Sequence, residues 1–137
     1  MDLIRPEVSP NPEGAPFWAA LTEHRLDLPW CVECDAAFLY PRVLCPACGS
    51  RDVEWRTASG LGTLHSFCVI NQTAVPGLRE AVPLATGLVE LAEGPRVMAF
   101  LRGFPEDPEQ IRCDVSVRAA YVDGTDGATL LAFEPAG

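Results

Sequence analysis

Four cysteines in two C-x-x-C pairs are the residues whose type and spacing predict chemistry in this chain. The pairs are Cys31–Cys34 and Cys45–Cys48, and residues 35–44 lie between them. Each C-x-x-C turn directs two sulfurs toward one point, and four thiolates complete the tetrahedral coordination of a zinc ion. A filled tetrahedron leaves no open position for water or substrate, so we expect a structural Zn²⁺ bound by Cys31, Cys34, Cys45 and Cys48.

The residues that follow each pair favour the same turn geometry. Gly49 follows the second pair and readily adopts the left-handed backbone conformation that such a turn needs. Asp35 follows the first pair and is one of the few other residue types tolerated there. Iron in a rubredoxin-like electron carrier is the alternative, because a sulfur-only tetrahedron holds either ion. Such carriers are little more than the metal site, whereas most of this chain has a β pattern, so the sequence favours zinc.

The remaining cysteines and the two histidines do not form a recognisable catalytic set. Cys68 and Cys113 are predicted to pack in the core, since cysteine is among the residue types most often buried. His24 and His65 have no carboxylate nearby in the sequence that suggests a triad. We therefore expect that this chain is not an enzyme on its own.

The elements before and around the cysteines are predicted to be an arm, a short helix and a ribbon. Residues 1–14 contain three prolines and are typical of an extended arm or linker. A helix is expected from Pro16, whose missing N–H is not needed in a first helical turn, and Pro29 is expected to end it. Its apolar stripe consists of Phe17, Ala20, Leu21 and His24. Helix and ribbon form the predicted unit 15–52.

From Val53 onward the pattern changes to β-strands. A short strand at residues 38–40 is expected within the ribbon. The later strand candidates are 53–56, 63–70, 84–91, 96–102, 114–122 and 130–133, with a turn or bulge at 59–62. The predicted fold is mainly β, with the short helix and zinc ribbon followed by a closed five-stranded OB-fold barrel over 53–137. A five-stranded sandwich is the alternative that periodicity leaves open.

Two features are candidates for contact with a partner or ligand. The long connection 71–83 carries apolar residues at Val75, Pro76 and Leu78, followed by Arg79; such loops often have a function. These residues either fold back over the barrel end or face a partner. Trp18 is displaced from the apolar stripe of the helix, which makes it a candidate interface anchor.

The charge balance bears on the class of partner. All ten basic residues are arginines, against 19 acidic residues, for a net charge of −9. This field repels a phosphate backbone. A single-stranded nucleic-acid-binding ribbon and barrel remains the alternative function, and its candidate patch comprises Arg51, Arg56, Arg79 and Arg102.

The sequence also bears on location. No segment approaches the roughly 20 apolar residues of a membrane span, and residues 1–14 show no secretory signal. A cytoplasmic protein with reduced thiols is the expectation, which favours metal over disulfides.

Taken in order, several short motifs resemble one known family. They are Phe17-Trp18, the two C-x-x-C turns with Pro41-Arg42 between them, Ser-Gly-Leu-Gly-Thr at 59–63, Leu-Val-Glu-Leu at 88–91 and Glu-Gly-Pro-Arg at 93–96. This order resembles the DUF35 family, a rubredoxin-like zinc ribbon fused to an OB-fold, over residues 17–135. Asp35 departs from the family's usual glycine. Residues 111–114, Ile-Arg-Cys-Asp, replace a more usual Ile-Gly, and Arg112 is either a surface substitution or a contact for CoA phosphate.

The resemblance implies an accessory role. Members of the family are partners of thiolase-fold enzymes that act on acyl-CoA thioesters, among them the retro-aldolases of steroid side-chain degradation. The expected function is therefore a non-catalytic subunit that binds and activates a thiolase or retro-aldolase, with acyl-CoA as a candidate ligand at the shared interface. A similar domain forms the C-terminal part of longer hydratase-like subunits, so residues 1–14 are either a free arm or a linker.

Overall fold

The computed structural model describes residues 11–124 and 127–137, and they form a mainly β fold. The elements are α1 (Ala15–Thr22), β1 (Asp27–Cys31), β2 (Ala36–Ala37), β3 (Val53–Thr57), β4 (Leu61–Ile70), β5 (Leu84–Leu91), β6 (Arg96–Leu101), a single 3₁₀ turn (Pro108–Gln110), β7 (Ser116–Asp123) and β8 (Thr129–Pro135). The predicted class, a short helix with a cysteine ribbon and a five-stranded barrel, is confirmed.

The barrel closes in the strand order β4-β5-β6-β8-β7, with β7 pairing back onto β4. All neighbouring strands are antiparallel except β6 and β8, which pair in parallel at Phe100 and Leu101 only. Closure rules out the open sandwich that the strand pattern alone allowed. The centre of the barrel is filled by side chains that are essentially inaccessible: Leu64, Val89, Val117 and Phe133.

Two glycines set the entry into the barrel for different reasons. Gly60 has a φ of +81°, which turns the chain from the ribbon into β4. At Gly62 a Cβ atom would lie 2.6 Å from the carbonyl oxygen of Glu90, so only glycine allows β4 to approach β5 this closely. The predicted turn at 59–62 therefore consists of the turn at Gly60 and the first two residues of β4. The bulge in β4 lies further on, between Leu64 and Ser66.

The helix ends earlier than the sequence predicted. α1 stops at Thr22, and His24 then takes a left-handed conformation with a φ of 58° that turns the chain into β1. Pro29 does not end a helix but lies inside β1. The Pro29 carbonyl accepts a hydrogen bond from the Phe38 N–H, so the backbone side on which Pro29 lacks an N–H faces β2. β2 has only two residues, so little pairing is lost there. A proline is tolerated at such a position.

A separate three-stranded sheet, in the order β2-β1-β3, carries the ribbon. The short strand that the sequence predicts at 38–40 lies at Ala36–Ala37 (β2) instead, because Ala36 and Ala37 are the residues that pair with β1. The strand predicted from Val53 is present as β3, but it pairs with β1 and not with the barrel. The boundaries at 14/15 and 52/53 stay predictions.

The packing of Phe133 generates a stability prediction. Its side chain is fully buried in the main core, so Phe133→Ala is expected to lower the free energy of unfolding by about 3–5 kcal/mol. Leu61 is 52% exposed, and Leu61→Ala serves as the control with a change of about 0.5 kcal/mol or less. Urea unfolding at neutral pH measures both values. Equal changes in the two variants would contradict the assignment of the core.

One carboxylate side chain connects β8 with β7 and with the end of β6. Glu134 on β8 accepts from Arg118 Nε of β7 at 3.0 Å and from Arg102 Nε, just after β6, at 3.2 Å. The hydrogen bonds from Arg118 and then Arg102 hold the pKa of Glu134 below its ordinary value of 4.5. These charge-assisted bonds link three strands at the seam where β6 and β8 share a short parallel pairing.

This arrangement predicts a pH-dependent contribution to stability. The folded pKa of Glu134 lies below its unfolded value, so the ion pairs stabilise the fold above the unfolded pKa, and this is lost as the pH falls through the folded pKa. Glu134→Gln is therefore expected to be less stable than the parent at pH 7 and to approach it below about pH 4. Glu106→Gln is the control, since Glu106 has no ion-pair partner within 11–124 and 127–137. A stability difference that is constant with pH would contradict the prediction.

Candidate metal centre and surrounding surfaces

The four predicted ligands come together at one point. The Sγ atoms of Cys31, Cys34, Cys45 and Cys48 all lie within 4.8 Å of one another. The Cys31–Cys48 pair of sulfurs is 3.6 Å apart and the Cys34–Cys45 pair 3.9 Å apart. Zinc–sulfur bonds of about 2.3 Å give a tetrahedron with sulfur–sulfur edges of about 3.8 Å. The cluster therefore fits a tetrahedral metal ion bound by four thiolates.

Backbone N–H groups in both C-x-x-C turns donate hydrogen bonds to cysteine sulfurs. The Cys34 N–H donates to Cys31 Sγ at 3.3 Å, and the Ala47 N–H donates to Cys45 Sγ at 3.4 Å. The left-handed residues are Asp35, with a φ of 51°, and Gly49, with a φ of 76°, as the sequence predicted. N–H groups aimed at sulfur stabilise the thiolate form.

Without a bound ion, the thiols of Cys34 and Cys45 differ strongly in acidity. Hydrogen bonds from the Cys48 and Ala47 backbone lower the pKa of Cys45 to about 7. Hydrogen bonding to the Cys48 thiol, and to those of Cys31 and Cys45, raises the pKa of Cys34 to about 12. Four adjacent thiols therefore do not all ionise at neutral pH by themselves. A divalent cation provides the charge that four thiolates require.

Within 11–124 and 127–137 no other group of three His, Cys, Asp or Glu side chains has metal-binding geometry. The predicted core positions of Cys68 and Cys113 are wrong, since both side chains are exposed. The bulge after Leu64 places Phe67 and Val69 against the core and Cys68 outward, where its sulfur lies 3.1 Å from the Thr86 hydroxyl.

The structure shows a contact of His24 that the sequence did not predict. Its Nε2 lies 3.0 Å from both carboxylate oxygens of Asp123, and its ring stacks on Tyr121 at 5.2 Å. The Thr129 hydroxyl donates to Asp123 at 2.7 Å, and this bond, together with the one from His24, lowers the pKa of Asp123. The contact joins the end of α1 to the barrel. The Thr129 hydroxyl contacts the carboxylate and not the imidazole, and His65 is exposed on β4.

An uncharged groove runs between α1, the segment 39–41 and the strands β6 and β8. Its volume is about 500 Å³, and none of its lining residues is charged. Trp18 forms part of the wall, half-buried, and packs edge-on against Phe17. Met98, 67% exposed, and Tyr40, 66% exposed, extend the apolar surface outward. The predicted anchor Trp18 thus lies on a surface that is depleted of charge.

The connection 71–83 divides between the two alternatives that the sequence left open. Leu78 and Ala81 pack against the outer core cluster of Ala120, Val122, Leu130 and Ala132. Val75, Pro76 and Arg79 are exposed. One half of the segment therefore covers the barrel, and the other half faces solvent.

Two of the four arginines in the predicted basic patch are paired with carboxylates. Arg56 pairs with Glu54 and Asp35 and lies 4.6 Å from the Trp30 ring, while Arg102 pairs with Glu134. Only Arg51 and Arg79 of the four have no carboxylate partner within the described ranges. No helix in those ranges has the length and apolar character to cross a membrane.

Comparison with known proteins matches both halves of the chain. Residues 18–54 match the model of the ChsH2 rubredoxin-like zinc ribbon domain, and residues 55–122 that of the ChsH2 C-terminal OB-fold domain. A solved structure, an Ltp2–ChsH2(DUF35) aldolase, superposes with a TM-score of 0.83 at 30% identity, over 97% of this chain and 100% of that chain.

Two curated relatives extend the comparison. A DUF35 domain-containing scaffold protein of Methanothermobacter thermautotrophicus is 31% identical over 76% of this chain and 80% of its own length. The 3-oxo-4,17-pregnadiene-20-carboxyl-CoA hydratase alpha subunit of Mycobacterium tuberculosis is 35% identical over 97% of this chain. The chain spans 40% of the length of the hydratase alpha subunits that it matches. Ribbon, barrel and matches over most of its length place this chain in the DUF35 family, with a ChsH2-type zinc ribbon and OB-fold.

Proposed function

We propose that this chain is a non-catalytic, zinc-binding accessory unit that binds and activates a thiolase-fold enzyme acting on acyl-CoA thioesters. The observation that carries the proposal is the superposition on the Ltp2–ChsH2(DUF35) aldolase over 97% of the chain. The similarity to a pregnadiene-carboxyl-CoA hydratase subunit favours a retro-aldolase or thiolase of steroid side-chain degradation as the partner.

The chemistry of the described residues supports a role without catalysis. Four thiolates fill the coordination of the proposed zinc ion, so the metal offers no position for substrate. His24, just after α1, has Asp123 as its carboxylate partner, and the Thr129 hydroxyl beside the pair donates to that carboxylate and not to the imidazole, so the arrangement is not that of a base-activated nucleophile. Closely spaced reduced thiols also favour the cytoplasm as the location.

The contact surface for the partner is proposed at the exposed side of the loop and at the helix. Val75, Pro76 and Arg79 are exposed on the connection 71–83, with Leu78 anchoring that loop to the barrel. Trp18 supplies aromatic area beside an uncharged groove. Aromatic residues and arginines are enriched at protein interfaces, and charge is depleted at their centres. Acyl-CoA is proposed at the interface between the two proteins.

The proposed zinc site predicts a metal-dependent fold of the ribbon. Cys45→Ser and Cys31→Ser are each expected to lower the zinc content from one ion per chain by about tenfold or more, because each removes one of four ligands. Cys68→Ser is the matched control, since its thiol lies on the exposed face of β4. Metal analysis of purified protein measures all three. Full zinc content in either ligand variant, or iron in the parent, would contradict the assignment.

The proposed partner predicts co-purification. An affinity-tagged chain is expected to retain a thiolase-fold enzyme from its native extract in stoichiometric amount, and Arg79→Glu is expected to weaken that retention about tenfold or more. His65→Glu is the control, because His65 is exposed on β4, away from the loop. Mass spectrometry identifies the retained protein.

The isolated chain is expected to turn over no acyl-CoA, and addition of the retained enzyme is expected to restore cleavage. Acyl-CoA cleavage by the chain alone would overturn the accessory role. Retention of nucleic acid at physiological salt would instead support the nucleic-acid-binding alternative.

A further inference from the structure

One segment of the ribbon, residues 36–51, differs in charge from the rest of the chain. It contains two exposed arginines, Arg42 and Arg51, and no acidic residue, whereas the whole chain has a net charge of −9. Within 11–124 and 127–137 neither arginine has a carboxylate partner. Asp35, which precedes the segment, is paired with Arg56 instead. The segment therefore forms a local cationic surface on an acidic protein.

The same segment carries exposed apolar side chains. Tyr40 is 66% exposed, Val43 60% and Leu44 42%, and these are three of the seven large apolar side chains that the described residues expose. Val43 and Leu44 line one shallow cleft of about 400 Å³ together with Arg42 and Pro46. Exposed apolar area that is contiguous and bordered by charge is typical of a surface that binds another protein.

The cleft is continuous with the uncharged groove beside α1. Residues 39–41 line the groove and residues 42–44 line the cleft, so one uninterrupted stretch of chain joins the two. The groove contains Trp18, which is already proposed as a contact for the partner enzyme. The cleft extends that contact onto the ribbon and adds the positive charge that the groove lacks.

Hydrogen bonds fix the backbone around the cleft. The Cys45 N–H donates to the Ser50 carbonyl at 2.9 Å, and the Gly49 N–H donates to the Cys45 carbonyl at 2.8 Å. Since Cys45 lines the cleft, the first of these bonds also brings the backbone that leads into Arg51 next to it. A backbone that is already fixed loses little conformational entropy on binding, so the cleft is suited to docking without rearrangement.

Charge and apolar character together define the occupant. A guanidinium forms bidentate hydrogen bonds with a carboxylate, and an apolar rim that excludes water strengthens them. A polyphosphate backbone requires a run of cations, whereas this segment supplies two in a chain with a net charge of −9. The matching surface is therefore that of a protein, with an Asp or Glu side chain beside an apolar one.

We propose that this ribbon surface, residues 40–44 with Arg51, docks onto an acidic and apolar patch of the partner enzyme. Arg42 pairs with a carboxylate of that enzyme, and Val43 and Leu44 pack against the apolar side chains beside it. This inference rests on the proposed function and adds the ribbon to the contact surface proposed there. The ribbon then binds the partner directly, in addition to the helix and the loop 71–83.

Calorimetric titration of the purified partner enzyme, without acyl-CoA, tests the docking. Arg42→Glu is expected to weaken binding about tenfold or more, because it places a like charge against the partner's carboxylate. Leu44→Asp is expected to weaken binding to a similar degree. Leu61→Asp is the matched control, since it adds the same charge at an exposed leucine of the barrel, and it is expected to bind like the parent. All proteins are compared at equal zinc content, which shows that the ribbon is intact.

A single lysine identifies the group that Arg42 contacts. All ten basic residues of the chain are arginines, so Arg42→Lys introduces its only lysine and keeps the positive charge. A carbodiimide, which takes up the water released, is expected to join that amine to an Asp or Glu side chain of the enzyme as an amide. His65→Lys is the control on the exposed face of β4 and is expected to give about tenfold less cross-link. Mass spectrometry locates the joined carboxylate.

The outcomes separate this inference from the proposed function. Equal affinity of the parent and Arg42→Glu, or equal cross-linking from Arg42→Lys and His65→Lys, would overturn the ribbon surface and leave the proposed function standing. An effect of Arg42→Glu that appears only when acyl-CoA is added would assign the arginine to CoA phosphate and overturn the inference as well. If the parent retains no thiolase-fold enzyme, the proposed function fails and this inference fails with it.

Discussion

The four-sulfur cluster is the constraint on which the ribbon depends. Its sulfurs lie within 4.8 Å of one another, and the ribbon's own buried cluster consists of Cys31, Phe38 and Cys45 with Val53 packed against them. So small a core leaves conformational entropy largely uncompensated, and metal coordination is how small domains of this kind are stabilised. Two of the proposed ligands are themselves core residues, so loss of the proposed ion would loosen the ribbon's core as well as remove its cross-link.

β1 connects the cysteine cluster to the main core. Leu26, just before β1, and Leu28, within it, are buried in the main core, while Cys31 at the end of β1 is a proposed metal ligand. β3 pairs with β1 along the full strand and then leads through Gly60 into β4. The ribbon is therefore held to the barrel by the buried side chains of Leu26 and Leu28 and by the short connection through Gly60, while its sheet stays separate from the barrel. The groove, whose wall at 39–41 comes from the ribbon, depends on this placement.

The local parts of this structure were predictable from the sequence, and the long-range parts were not. Spacing alone predicted that the four cysteines come together, because a C-x-x-C turn is self-contained, and alternation identified the long strands. Cys68 was wrongly expected in the core because a bulge shifts the inward phase of β4, and a bulge has no reliable sequence signal. Pro29 was wrongly expected to end a helix because its partner in β3, Trp55, which places it in a strand, is distant in sequence. The His24–Asp123 contact joins residues 99 positions apart, beyond any motif.

The placement of charge in this chain agrees with the proposed accessory role. The net charge is −9, five of the nine arginines in 11–124 and 127–137 are paired with carboxylates, and the groove lining carries no charge at all. A groove that is lined by no cation is poorly suited to a phosphate backbone, whereas a charge-depleted surface flanked by exposed Met98 and Tyr40 suits a protein. Four ligands would enclose the proposed metal ion, so the described residues offer surfaces, and no open metal position, to another molecule. A shape held rigid by a metal suits the proposed role of positioning a partner's active site.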